Sequence, residues 1–312
     1  MALQVPRWNP SAPLQPLRLD WLTAAGVDVA VLRLDLLDPL ISGNKWFKLL
    51  PHLQAAEQAG AQGLISLGGA HSNHLHALAA AGQRFAFPTV GLLRGEPQDN
   101  AMVRDLQAFG MQLHWLGYGG YRARHQVGFW QPWRERYPHL QPVPEGGGGL
   151  AAARACMAIA ELARSQLTGL GWTDYDGWWL AAGTGTTLAG LVLAEAGRRP
   201  VHAALAVPAG DGVENNLSSL LGEAGCADTG YRLVAAARGG FARLDSELSA
   251  FILDCEAQSG LPLEPVYTGK ALLALRREVE AGYFAKGSRL LFVHTGGLQG
   301  RRAMAASVPL QV

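Results

Sequence analysis

Strand-like and helix-like stretches alternate through most of this 312-residue chain, and that alternation limits the folds open to it more than any other feature. "GLISLGG" (63–69) reads as a buried strand ending in glycines. "SNHLHALAAAGQRF" (72–85) reads as a helix with Ser72 or Asn73 available as its N-cap. "TVGLLRG" (89–95) and "MQLHWLG" (111–117) read as strands on either side of the helix "NAMVRDLQAFG" (100–110). Further on come a short strand running into the glycines of 139–149, a long helix over 150–168 and the strand "GWWLAAG" (177–183). A helix over 186–197, the strand "VHAALAVPAG" (201–210), helices near 212–224, 243–258 and 269–281, and a final strand "RLLFVHTGG" (289–297) complete the series. Repeated units of this kind predict an α/β fold of parallel sheets with helices on both faces. The four-glycine run at 146–149 predicts a crossing between two lobes, a small one over 46–145 and a large one made of 1–45 plus 146–312.

Composition removes several function classes. A hydrophobic fraction of 49% supports substantial cores, and a net charge of +1 gives no reason to expect nucleic acid or an anionic membrane as partner. "YRARHQVGFWQPWRERY" (121–137) is aromatic and basic, but it reads as an amphipathic helix. No segment approaches the ~18 apolar residues of a membrane span, and "MALQVPRWNPSAPLQPL" lacks the pattern of a signal peptide. Three scattered cysteines, Cys156, Cys226 and Cys255, form neither a disulfide framework nor a C-x-x-C metal site. The expectation is a cytoplasmic protein, and the low charged fraction of 16% suits a surface partly covered by a second subunit. His71, His74 and His76 are closely spaced, but no carboxylate or cysteine completes a zinc set, so no metal is expected.

Ligands of parallel α/β sheets bind beyond the carboxyl ends of the strands, and three strands here end in glycine-rich turns: "LGGAHSN", "AAGTGTT" and "VHTGG". In the second, Gly183 and Gly185 allow a tight turn, so the amides of Thr184, Gly185, Thr186 and Thr187 would face an anion at a helix N-terminus. The turn is not a Walker A loop. A dinucleotide fingerprint is the competing reading, but the acidic residue expected about 20 positions on is poorly placed. A lone phosphate fits better. In "ISGNKWFKLL" (41–50), Lys45 sits where an extended segment gives way to a helix. A phosphate cradle together with a lysine so placed suggests pyridoxal phosphate, whose aldehyde condenses with a lysine amine.

Five ordered segments carry a resemblance that covers most of the chain. "SGNKWFKL", "SLGGAHSNHLHALAAAG", "AAGTGTTLAG", "LEPVYTGKALLAL" and "LLFVHTGG" resemble motifs of the 1-aminocyclopropane-1-carboxylate deaminase / D-cysteine desulfhydrase family. That family consists of fold-type II pyridoxal-phosphate enzymes, similar in fold to the tryptophan synthase β subunit. The resemblance implies that Lys45 is the imine lysine and moves the substrate Cα proton, with Lys48 as the alternative. It implies that Asn73 donates to the cofactor's ring oxygen and that Ser72 lies near the substrate, where the amides of that helix start hold its carboxylate. Tyr267 would lie over the ring face with its hydroxyl toward the substrate, and Thr295 would face the pyridine nitrogen. His74 would be a pocket residue, and histidine at that position resembles the desulfhydrases more than the deaminases. A small amino acid as substrate and a homodimer are implied at the same level.

The chain departs from the family at several places. Ser42 replaces a glycine and Phe47 an arginine, and "LQGRRAM" follows the last strand in place of the usual P-A-L-F/N. Phe241, 26 positions upstream of Tyr267, stands where the family carries a second active-site tyrosine; it keeps the ring for substrate contact and lacks the hydroxyl. The expected activity is β-elimination from a small amino acid, giving ammonia and a keto acid, with D-cysteine as the first substrate. Ring-opening deamination of 1-aminocyclopropane-1-carboxylate is the alternative, and a pyridoxal-phosphate-binding protein without robust turnover is the reading from another class.

Overall fold

The computed structural model describes residues 2–208, 210, 212–239 and 243–304. Ten strands form two sheets in these residues: β1 (Leu14–Leu17), β2 (Asp28–Arg33), β3 (Gly63–Gly68), β4 (Thr89–Leu93), β5 (Gln112–Trp115), β6 (Leu140–Pro142), β7 (Gly177–Ala182), β8 (Val201–Leu205), β9 (Tyr231–Ala235) and β10 (Arg289–His294). The larger sheet runs β1-β2-β10-β7-β8-β9 and the smaller runs β5-β4-β3-β6. All pairings are parallel except β1 with β2. β1 carries Pro16, which an edge strand tolerates because its N–H side needs no partner.

Alternation along the central strands shows why the larger sheet is covered on both faces. Trp178, Leu180, Val293, Leu291, Ala30 and Leu32 point into one core. Their neighbours Trp179, Ala181, Phe292, Leu290, Val29 and Val31 point into a second core, packed against the helices Ser246–Ser259 and Thr268–Glu280. Trp178, Trp179 and Phe292 are fully buried, and each such side chain contributes roughly 1.5–3 kcal/mol through the apolar surface it removes from water. Ile65, Leu67, Val90 and Leu92 form a third cluster with Tyr121 on the smaller sheet. Among the described residues, no helix is long and apolar enough to cross a membrane.

Several local expectations change. β1, β2 and β9 add three strands, and a short helix, Asp20–Ala25, lies between the first two. The long helix over 150–168 is two helices, Leu150–Cys156 and Ala158–Arg164, followed by a 3-10 turn. The chain tightens at Met157, whose N–H reaches back only to Arg154 O and whose carbonyl accepts from Ala160 N. The amphipathic helix expected over 121–137 is also broken, into Gly117–Arg122, a 3-10 turn and Gln131–Arg136. Gly128, at φ +89°, and Pro132 interrupt it.

Candidate active site

The carboxyl ends of β3, β7 and β10 converge on the segment that follows β2, and a cavity opens there. It is lined by Asn44, Lys45, Lys48, Asn73, Ala181–Leu188 in part, Tyr267 and Thr295. Two glycines allow this convergence. Gly43 has φ +80°, and a Cβ on it would lie 2.0 Å from the carbonyl oxygen of Thr295. Gly296 also has φ +80°, and a Cβ there would lie 2.6 Å from Gly43 Cα. The two backbones touch, and Asn44 N–H donates to Thr295 O at 3.2 Å. Ser42 fits beside them because its hydroxyl donates to Asp35 O at 3.3 Å.

Lys45 is the first residue of the helix Lys45–Gln58, and Lys48 follows one turn later on the same face. Burial lowers the Lys45 amine from 10.5 to about 8, opposed by the nearby Cys156. Burial and then the Lys45 charge hold Lys48 well below the ordinary lysine range. Lys48 Nζ donates to Thr184 Oγ1 at 3.2 Å, which places that amine at the glycine-rich turn. Phe47 points the other way, into the core.

The turn after β7 feeds the helix Thr186–Glu195 through Gly185, at φ +79°. Asn44 Nδ2 donates to Thr187 Oγ1 at 2.7 Å, Thr184 and Thr186 hydroxyls lie 3.3 Å apart, and Asn216 Nδ2 donates to Thr184 O at 2.5 Å. Gly183 leaves room for the Tyr267 ring: a Cβ at 183 would lie 2.9 Å from Tyr267 Cε1. Tyr267 opens the helix Thr268–Glu280, and the buried Glu264 carboxylate fixes that opening. It accepts from the N–H groups of Tyr267 and Thr268 at 2.6 Å each and of Val266 at 2.7 Å. Burial raises Glu264 from 4.5 to about 7, against the lowering effect of those amides. Burial, then the charges of Glu264 and Glu145, push the Tyr267 phenol above its ordinary value, so at neutral pH it carries its proton and acts as a donor.

Asn73 is the first residue of the helix Asn73–Phe85, and Ser72 is its N-cap, accepting from Leu75 N at 3.2 Å. Ser72 and His74 are not among the cavity-lining residues. The His74 ring lies instead against Gly147, where a Cβ would come within 3.2 Å of His74 Cε1. Ser66 Oγ donates to Val143 O at 3.0 Å, so it accepts from His74 Nε2 at 2.8 Å. Burial, with Lys48 and Lys45 nearby, holds His74 well below the ordinary imidazole range. Its ring thus packs on the 145–147 turn and ties to Ser66. His76 pairs with Asp105 at 3.2 Å. Phe241 lies outside the described residues. Sequence reasoning missed Asn44, Glu264 and Gln299, whose Nε2 donates to Asn73 Oδ1 at 3.0 Å. No motif signals the contacts of Asn44 and Gln299, which bridge segments distant in sequence, whereas Glu264 acts within its own turn, on amides two to four positions on.

The donor set tests what the cavity can hold. Among the described residues its lining contains two buried amines, one amide-rich helix start and no carboxylate, which suits an anion at the Thr184–Thr187 end. The Tyr267 ring, packed on Gly183, borders the cavity and suits one side of a flat ring, and Lys45 lines the same space. These residues fit pyridoxal phosphate.

Comparisons with known proteins agree. A family model described as pyridoxal-phosphate dependent enzyme matches residues 11–296. The Arabidopsis thaliana bifunctional D-cysteine desulfhydrase/1-aminocyclopropane-1-carboxylate deaminase, mitochondrial, is 27% identical over 88% of this chain and 73% of its own length. The 1-aminocyclopropane-1-carboxylate deaminase of Burkholderia cenocepacia is 27% identical over 91% of each chain. The crystal structure of an ACC deaminase homologue superimposes with a TM-score of 0.81 at 23% identity, covering 98% of this chain and 94% of that one.

Proposed function

The chain belongs to the pyridoxal-phosphate-dependent enzymes, and from that premise we propose that it is a lyase or deaminase of a small amino acid, with D-cysteine as first substrate. In that reaction D-cysteine and water give hydrogen sulfide, ammonia and pyruvate. The observation that carries the reading is the placing of Lys45, at about 8, in one cavity with the Thr184–Thr187 turn and Tyr267.

When bound, the cofactor supplies an electrophilic aldehyde and a ring that draws electrons from the substrate Cα. Lys45 holds it covalently, and its lowered basicity lets the amine take and return the Cα proton near neutral pH. The amides and hydroxyls of Thr184, Gly185, Thr186 and Thr187 would hold the phosphate, with Gly183 giving the backbone its close approach and the Lys48 amine adding a further donor. Asn73 donates to the ring oxygen. Tyr267 would border the ring, and its protonated hydroxyl would be a donor for the departing β group. Thr295 offers the ring nitrogen a neutral hydroxyl. Ser72 and the free amides at the start of Asn73–Phe85 suit the substrate carboxylate, and Phe241 completes the substrate side.

We carry forward the lobes 46–145 and 1–45 plus 146–312, because all four strands of the smaller sheet fall between 63 and 142. A homodimer in a reducing cytoplasm fits three free cysteines and the exposed Leu36 and Leu40 beside the lysine segment.

The test is direct. Protein loaded with pyridoxal phosphate is offered D-cysteine, D-serine, β-chloroalanine and 1-aminocyclopropane-1-carboxylate, with sulfide, ammonia and keto acid measured. Sulfide and pyruvate from D-cysteine support the proposal. 2-Oxobutyrate from the cyclopropane alone replaces it with ring-opening deamination. Silence on all four despite bound cofactor leaves a binding protein without turnover.

A further inference from the structure

We propose that Gln299 is a positioning residue that decides which end of the Asn73 amide faces the cofactor. The inference rests on the reading that Asn73 donates to the cofactor's ring oxygen. A side-chain amide can present a donor or, after half a turn, an acceptor, and the two ends have the same shape. The deprotonated ring oxygen of the cofactor only accepts, so the wrong end would repel it. Gln299 presents its Nε2, which only donates, to Asn73 Oδ1 at 3.0 Å; its own amide has two ends as well, so the acceptor-only Gln299→Glu is the variant that reads the direction. That contact leaves Asn73 Nδ2, the donor end, turned the other way. Nδ2 lies over Gly297, where a Cβ would come within 2.7 Å of it, so no side chain at 297 covers the donor.

The segment that carries Gln299 is anchored on both sides. Gln299 lies in the 3-10 turn Leu298–Gly300 after β10. Arg301 donates to both oxygens of Glu256 at 2.6 and 3.1 Å, which fastens the segment to the helix Ser246–Ser259 behind the larger sheet. Arg302 pairs with Asp105 on the helix Ala101–Ala108 beside the smaller sheet, and Asp105 also meets His76 of the helix that begins at Asn73. The reach of Gln299 is therefore set by one ion pair to each side of the molecule. This stretch is the "LQGRRAM" that departs from the family's usual sequence, so the device belongs to this chain.

The experiment titrates cofactor-free protein with pyridoxal phosphate and reads the dissociation constant, the visible absorbance and its pH midpoint. Wild type is compared with Gln299→Met, Gln299→Glu, Asn73→Ala and the Asn73→Ala/Gln299→Met pair, with thermal melting as the control for folding. Methionine keeps the length and removes the donor; it should weaken binding about 3- to 10-fold, the effect of one lost hydrogen bond, and move the midpoint toward that of Asn73→Ala. Glutamate only accepts and draws Nδ2 away from the cofactor, so its effect should exceed that of methionine. In the Asn73→Ala background, Gln299→Met should change neither quantity. Glutamate indistinguishable from wild type, or an undiminished methionine effect without Asn73, overturns the proposal alone. Wild-type protein that takes up no cofactor overturns the underlying reading as well.

Discussion

The Asn44 side-chain amide donates to the Thr187 hydroxyl at 2.7 Å, so the segment presenting Lys45 is joined to the loop that would hold the phosphate. Thr187 Oγ1 also lies 3.9 Å from Cys156 Sγ. With acceptor positions filled from behind, the Thr187 proton is left for the cavity. Asn44→Ala should therefore weaken cofactor binding about 5-fold, and Thr187→Ala, which also removes the hydroxyl that would face the phosphate, should weaken it more. The double variant should match Thr187→Ala, because Asn44 acts through that hydroxyl. Additive losses in a fluorescence titration would show that the two residues act separately.

Lys45 and Lys48 share a helix face and a cavity, but their surroundings assign them different work. Lys45→Ala should abolish borohydride-fixed cofactor and turnover. Lys48→Ala should keep fixation at Lys45 and raise the dissociation constant by roughly 10-fold, because the residue supplies a donor at the Thr184 end. Mass spectrometry of the reduced, digested protein locates the labelled lysine. Label on Lys48 in the wild type would reverse the assignment.

The lowered Lys45 pKa gives a pH dependence of definite sign. Cofactor uptake needs the neutral amine, so its rate should rise about tenfold per pH unit at low pH and level off above about 8. The same shift acts on stability. Between about 8 and the ordinary 10.5 the unfolded chain binds the proton that the folded chain has lost, so the stability of cofactor-free protein should rise with pH across that window. Lys48 is shifted the same way and adds to the slope. Stopped-flow uptake and denaturant melts from pH 7 to 11 measure both, and Lys45→Ala should remove its share of the stability slope.

Much of the fold was legible in sequence because the cues are local. Glycines closing "GLISLGG", "GWWLAAG" and "RLLFVHTGG" mark strand ends, and β3, β7 and β10 end there within a few residues. β1, a four-residue edge strand containing proline, and β9, half-buried, carry too little apolar pattern to announce themselves. In the site, Lys45, Asn73, Tyr267 and Thr295 converge on one cavity, while the His74 ring goes to Ser66. A helix start fixes which residues are near a ligand, but the rotamers that aim each side chain depend on neighbours such as Gly147 that are far away in the chain. Ser42 was legible as a departure and illegible as a tolerated one, since its acceptor, Asp35 O, is supplied by the folded turn.

Gly43 and Gly296 make the backbone contact on which the site is built. Gly43→Ala must carry a side chain at φ +80° and place a Cβ 2.0 Å from Thr295 O. The left-handed backbone alone costs of order 1–3 kcal/mol, and a clash with backbone cannot be relieved by a rotamer change. The variant should melt several degrees lower and lose cofactor affinity even though Lys45 is intact. Gly60→Ala, also at positive φ but with nothing within 4 Å of its Cβ, is the control. It should show the backbone cost only and bind cofactor as wild type does. Equal affinity in the two variants would mean that the Gly43–Gly296 contact is not what shapes the site.

The final expectation concerns Glu264 and the phenol that it helps to place. Its carboxylate is raised from 4.5 to about 7 by burial, so between those values the folded chain holds a proton that the unfolded chain has released. Its contribution to stability must therefore fall as pH rises from about 4.5 to 7. Glu264→Gln should flatten that part of the pH–stability curve while leaving one acceptor for the amides of Val266, Tyr267 and Thr268. Above pH 7 the wild-type carboxylate is the better acceptor, and the Tyr267 phenol, pushed above its ordinary value partly by that charge, stays protonated. Tyr267→Phe should keep cofactor binding and visible absorbance and lower kcat for elimination about 100-fold, the scale of a lost general acid. Glu264→Gln should lower kcat by less, and Tyr267→Phe/Glu264→Gln should match Tyr267→Phe. A further drop in the double variant would mean that Glu264 serves the reaction by some route other than the tyrosine, and equal kcat in Tyr267→Phe and wild type would remove the phenol from the chemistry.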